Sequence, residues 1–178
     1  MNSRPRSAAP VTDSFTTPRL KASTKFANVH WHATQLPPSN HTTMISHLDH
    51  LVLTTANEAQ CVRFYTEVLG MKLESFIGGT PPVERKAFMF GNQKINLHVK
   101  GREFEPKAHT PVPGALDLCF LASVPLDEVI AHLEQCGVLI AEGPVLRTGA
   151  TSKIRSIYLR DPDLNLIEIS EPVRPTSP

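Results

Sequence analysis

The stretch LDHLVLTTANEAQCVRFYTEVLGM, residues 48–71, carries the decisive pattern. Its opening, Leu48-Asp49-His50-Leu51-Val52-Leu53, has the alternation of a strand and sets Leu48, His50 and Val52 on one face. Residues 56–69 then change to helical spacing, with Val62, Phe64, Tyr65, Val68 and Leu69 forming an apolar stripe. Gly70 suits the stop, because glycine accepts the left-handed conformation that closes a helix. Residues 71–77, 86–90 and 94–99 read as three further strands, the last two joined by the turn Gly91-Asn92.

Working outward, the same order returns. Residues 115–122 form a strand run, Pro125 suits a first helical turn, and 126–136 have helical spacing through Leu126, Val129, Ile130 and Leu133. Gly137 ends that helix. A short strand is expected at 138–141. Two more are expected at 156–160 and 165–170, divided by the turn Asp161-Pro162-Asp163. The link between the halves contains Gly101, Pro106, Pro111, Pro113 and Gly114, which makes it non-helical. The expected fold class is therefore α+β, built from two βαβββ modules, 45–100 and 115–172, inside one domain spanning 44–172, with a tail at 173–178.

The halves can be laid over one another by counting. His50 precedes Gly70 by 20 residues and Asp117 precedes Gly137 by 20. His98 follows His50 by 48 residues, and Glu168 follows Asp117 by 51, a difference that a loop can absorb. This sets four side chains in equivalent places: His50 and Asp117 in first strands, His98 and Glu168 in last strands. Each has apolar neighbours, where a carboxylate is costly unless it is paired, hydrogen-bonded or bound to a cation. Imidazole nitrogen with carboxylate oxygen suits Zn, Mn, Fe, Co or Ni as divalent ions. Taken singly, a strand histidine is more often a core or surface residue than a ligand. Glu168 could equally pair with Arg155, and Asp117 could bond a turn. The repeat raises the joint weight of the four.

Composition narrows the classes. The chain has 178 residues, is 40% hydrophobic and carries a formal net charge of +1, so it lacks the overall basic footprint of a nucleic-acid binder. Residues 1–43 hold Arg4, Arg6, Arg19, Lys21 and Lys25 against Asp13 alone, and are rich in Ser, Thr and Pro without periodicity. They read as an unfolded extension or as a targeting segment, although their prolines disfavour a presequence helix. No apolar run approaches a membrane span. Cys61, Cys119 and Cys136 lack CxxC spacing and read as reduced thiols of an intracellular protein. The expected location is the cytoplasm, or the mitochondrion if the extension is a transit peptide.

The runs Leu48 to Leu53 and Arg63-Phe64-Tyr65-Thr66-Glu67-Val68-Leu69-Gly70-Met71 resemble the opening of a glyoxalase/bleomycin-resistance domain of the vicinal oxygen chelate superfamily. Asp161-Pro162-Asp163-Leu164-Asn165-Leu166-Ile167-Glu168 resembles that family's last hairpin. Phe90 to His98 and Pro111 to Asp117 resemble glyoxalase-domain proteins of vertebrates and bacteria. The resemblance covers about residues 45 to 172. It implies two modules curled around one metal-site cleft, with His50, His98, Asp117 and Glu168 as ligands. The set departs from the glyoxalase I pattern, which usually has Glu or Gln at His98 and His at Asp117.

The leading expectation is a divalent-metal-dependent lyase or isomerase acting on a small oxygenated metabolite, with Glu168 or Asp117 as the proton acceptor. Lys94, Arg102 and Arg155 are candidates for holding an anionic substrate. One alternative is an iron-dependent oxygenase using His50, His98 and Glu168. Another is a binding module without turnover, in which Asp117 pairs with His50 and Glu168 with His98. The partners expected are a small molecule and, through open sheet edges, a second copy of the chain; no nucleic acid or membrane partner is expected.

Overall fold

The computed structural model describes residues 43–174. The extension 1–43, apart from its last residue, and the end of the tail lie outside the described residues. The chain divides into two units, Met1–Thr43 and Met44–Pro178, and every element belongs to the second. In chain order these are β1 His50–Thr55, α1 Glu58–Arg63 continuing as a π-helical turn Phe64–Val68, β2 Lys72–Gly78, β3 Val83–Phe90, β4 Gln93–Val99, β5 Asp117–Leu121, α2 Leu126–Gln135, β6 Glu142–Thr148, β7 Lys153–Arg160 and β8 Leu166–Pro172.

The strands form two four-stranded sheets of identical order, β1-β4-β3-β2 and β5-β8-β7-β6. Within each, the first strand lies parallel to the last, and the other pairings are antiparallel. This is the α+β architecture of two βαβββ modules. A helix crossover is what allows the parallel pair, because a hairpin cannot join parallel neighbours.

Local chemistry explains the helices. The Asn57 side chain accepts from the Gln60 backbone N–H at 3.2 Å and caps α1. At the other end Gly70 takes φ +70, and Met71 N–H reaches back to the Tyr65 carbonyl at 2.9 Å. The segment expected as one regular helix over 56–69 thus widens in its last turn. In α2 the closure is regular. Gly137 at φ +68 donates to Glu134 and Val138 to Leu133, which satisfies two of the terminal carbonyls.

One face of each sheet packs on its helix, and these faces make a continuous core. Leu53, Phe88, Ile95 and Leu97 pack with Tyr65 and Cys61, and Ile157, Leu159, Ile167 and Ile169 pack with Leu126 and Leu133. Tyr65 stacks on Phe88 with centroids 4.8 Å apart and donates its hydroxyl to Asp161 Oδ2 at 3.0 Å, which ties the first module to the last turn of the second. Asp161 also accepts from the backbone of Asp163 and Asn165 and from the Asn165 amide, so its buried carboxylate is well satisfied.

The strand expected at 138–141 is not formed; the pairing strand is β6, which starts at Glu142. Its register shifts between Glu142 and Val145, around Gly143-Pro144. Pro144 has no N–H for the ladder, and Gly-Pro punctuates the sequence like a loop, which hides this strand from a pattern search.

Candidate functional site

The faces turned away from the helices carry the polar side chains. In the first module, the ladders fix rows running across β1, β4 and β3. His50 lies beside Lys94 and Met89, Val52 beside Asn96 and Ala87, and Thr54 beside His98. Arg85 continues that last row on β3, one step past the Lys86–Leu97 pair. In the second module the corresponding rows are Asp117, Leu166 and Arg160; Cys119, Glu168 and Tyr158; and Leu121, Ser170 and Ser156.

These rows revise the equivalence obtained by counting. Asp117 and Glu168 stand one row apart on neighbouring strands. The same relation in the first module joins His50 to Asn96, and His98 lies a further row away, where the second module has Ser170. Thr54 is four residues beyond His50, so His98 is displaced by roughly 13 Å along the strands, while diagonal neighbours one row apart are about 7–8 Å apart. Side chains stand roughly perpendicular to a sheet, so the two imidazoles do not converge. His50 and His98 therefore do not form the pair that a two-histidine, one-carboxylate iron site needs.

His50 is half-exposed, and its Nδ1 lies 2.6 Å from Asp49 Oδ1. The hydrogen bond from His50 holds the Asp49 carboxyl below its ordinary range. With Nδ1 bound to the carboxylate, Nε2 is left as the free donor atom, an arrangement typical of metal-ligating histidines. His98 is buried, at 7% exposure, and its Nδ1 has no hydrogen-bond partner among the described residues. Burial, followed by the charge of Arg85, lowers its pKa.

Asp117 is exposed at the start of β5, and Glu168 is half-buried, with Oε1 accepting from Ser170 Oγ at 3.3 Å. Glu168 faces Tyr158 across the ladder, and the Tyr158 hydroxyl accepts from Arg147 Nε at 3.1 Å. Burial, and then the carboxylate of Glu168, push the Tyr158 phenol up against the opposing pull of Arg147. The pairs expected of a metal-free binding module, Asp117 with His50 and Glu168 with His98, are not formed. Among the described residues no group of three or more His, Cys, Asp or Glu is gathered to hold one metal ion. Each module instead presents its own polar pair, His50 with Asn96 and Asp117 with Glu168.

Of the cations singled out for an anionic substrate, Arg155 is engaged by Asp127 and Glu171, and Arg102 shares Glu58 with Lys86. Lys94 lies over the Phe76 ring at 5.4 Å, in the row of His50. Arg85 and Asn96 were missed. Their signal was the alternation of β3 and β4, which sets both on the polar face. A groove of about 890 Å³ runs between the modules, with Met89, Phe90, Cys119, Phe120 and Ile169 among its walls.

A family model described as the Glyoxalase/Bleomycin resistance protein/Dioxygenase superfamily matches residues 47–169. The chain belongs to this superfamily. It is similar to virulence protein STM3117 of Salmonella typhimurium, with 53% identity over 128 residues, covering 72% of this chain and 85% of that one. The crystal structure of that protein aligns with a TM-score of 0.68, covering 73% of this chain and 99% of that chain. The glyoxalase domain-containing protein RDO1 of Mycosarcoma maydis is 52% identical over 123 residues, covering 69% of this chain and 66% of that protein. An integron cassette protein from the V. cholerae mobile metagenome is 54% identical, with a TM-score of 0.67, covering 71% of this chain and 95% of that one. Lactoylglutathione lyase from Agrobacterium tumefaciens shares the fold at 21% identity and a TM-score of 0.53, covering 72% of this chain and 95% of that chain. Among the described residues no helix is long and apolar enough to cross a membrane.

Proposed function

We propose that this superfamily member is a divalent-metal-dependent lyase or isomerase acting on a small oxygenated metabolite. His50, Asp117 and Glu168 would hold the ion, and a second copy of the chain would bring the two module faces together. The observation that carries this reading is the matched placement of His50 with Asn96 and Asp117 with Glu168 on equivalent inner rows. The Asp49 carboxylate, which aims the His50 ring, supports it further.

The donor chemistry fits the group: one neutral imidazole and two carboxylates suit a borderline divalent ion. The fit is by halves, since each module offers part of the set. Bound there, such an ion would polarise adjacent substrate oxygens and render the neighbouring carbon acidic. The remaining work belongs to side chains. Glu168 accepts the proton from that carbon and returns it to the adjacent carbon in an isomerase, or to a departing group in a lyase. Ser170 holds Oε1 of Glu168, and Tyr158 borders the same carboxylate, so the base is kept on the inner face.

The test is calorimetric titration of the metal-stripped full chain with Zn²⁺, Ni²⁺ and Mn²⁺. One ion per chain is expected, and His50→Ala should lose it while His98→Gln keeps it. Sub-stoichiometric binding of all three ions, or loss of the ion in His98→Gln with retention in His50→Ala, would contradict the ligand assignment.

A further inference from the structure

Four buried side-chain polar atoms lack a hydrogen-bond partner among the described residues, and three of them stand together: Arg85 Nε, Asn96 Oδ1 and His98 Nδ1. All three side chains rise from the inner face of the first module. Asn96 and His98 are successive inner-face positions of β4, and Arg85 on β3 lies abreast of His98. Thr54 closes the row on the other side at 7% exposure.

Phe104 fixes the group in place. Its ring meets His98 edge-on with centroids 5.3 Å apart, and the Arg85 guanidinium lies over the same ring at 4.7 Å. Gly79 makes room for the guanidinium, since a Cβ there would lie 2.5 Å from Nη2. Glu58 is engaged by Lys86 and Arg102, and Glu103 by Lys107, while the exposed Glu84, next to Arg85 in β3, takes the alternate position on the other face of the sheet. Arg85 makes no ion pair among the described residues. It also borders, with Glu84, Phe104 and the Glu58–Lys86–Arg102 cluster, a cavity of about 410 Å³ whose walls do not include Asn96 or His98.

A partly buried guanidinium without an anion, next to an acceptor and an imidazole without partners, is a costly arrangement for a structural cluster. It suits a ligand that supplies the missing groups. We propose that Arg85, Asn96 and His98 form a carboxylate subsite, so that the substrate is a small hydroxy acid. Its carboxylate accepts from Arg85 and its hydroxyl donates to Asn96 Oδ1, with His98 as the third contact. Asn96 occupies the row equivalent to Glu168, so a neutral amide stands where a second carboxylate would repel the acid. One unmatched guanidinium balances a monoanion, which favours a carboxylate over a phosphate dianion.

This subsite deepens the metal-dependent reading above and rests on it for the substrate's role. Its test is independent of metal: saturation-transfer NMR on the full chain in EDTA with lactate, its neutral isostere lactamide, and inorganic phosphate. Lactate is expected to bind in the millimolar range, with lactamide weaker by about tenfold or more. Arg85→Gln should weaken lactate by about tenfold or more, and Arg85→Lys by less, with lactamide unchanged in both. No lactate signal, equal binding of lactate and lactamide, tighter binding of phosphate, or an unaffected Arg85→Gln variant would each overturn the subsite. The wild-type comparison of lactate with lactamide needs no variant to fold. If the chain binds lactate this way but no metal, the subsite stands and the enzymatic reading falls; the reverse result removes the subsite alone.

Discussion

Asp49 and His50 show how much one residue's neighbour matters. The carboxylate accepts from Nδ1 and so fixes the tautomer and ring angle. Asp49→Ala is therefore expected to weaken metal affinity by roughly 10–100-fold without changing stoichiometry, as read by competition with a chelating dye. Unchanged affinity would mean that the pair is a surface contact only. Cysteine chemistry offers a second check at this scale. Burial pushes the Cys61 thiol up to about 12 and also raises that of Cys119, but Cys119 and Cys136 both reach solvent whereas Cys61 does not. An aromatic disulfide reagent at mildly alkaline pH should titrate two thiols in the native protein and the third only in denaturant. Three fast thiols would show that Cys61 is not in the core described.

At the scale of elements, the β7–β8 connection contains a backbone conformation its sequence does not suit. Leu164 sits at φ +70 and is 68% exposed. A left-handed leucine costs about 1–2 kcal/mol, and a glycine there loses part of that gain through its freer unfolded chain. Leu164→Gly should raise stability by about 0.5–1 kcal/mol, seen as a melting temperature a few degrees higher. A lower melting temperature would show that the leucine contributes packing that its exposure does not suggest.

The elements themselves were largely legible in the sequence. The stripe of Val62, Phe64, Tyr65 and Val68, the glycine stops at 70 and 137, and the alternation of β1, β4 and β8 all follow from periodicity and glycine chemistry. What was not legible was register. Counting along the chain matched His98 to Glu168, because the connections inside the two modules differ in length and counting adds that difference to the last strand. The parallel ladders remove it and select Asn96. An asparagine carries no signal of metal chemistry, and an arginine beside a lysine in β3 looks like surface charge, so the residues crowded around His98 passed unnoticed. The strand at Glu142–Thr148 was hidden for a different reason, its opening Gly-Pro pair and the shift of register beside it.

At the scale of the molecule, one core joins two modules of the same topology, and each module turns a polar face away from its helix. The chain presents two polar pairs, His50 with Asn96 and Asp117 with Glu168, and the proposed ligands His50, Asp117 and Glu168 are divided between them. Two copies with two-fold symmetry would offer each set twice, so that both sites could be completed across the pair. Mixing tests this directly, because His50 and Glu168 of one site would then come from different chains. His50→Ala and Glu168→Gln proteins, each unable to bind the ion, should regain about half of the wild-type metal capacity after being unfolded together and refolded, in the dimers that contain one chain of each. The measurement is bound metal per chain in the mixed dimer, isolated through two different affinity tags. One ion per mixed dimer is the predicted result. No metal in a mixed dimer that has folded would place both ligands in the same chain and contradict a site shared between copies.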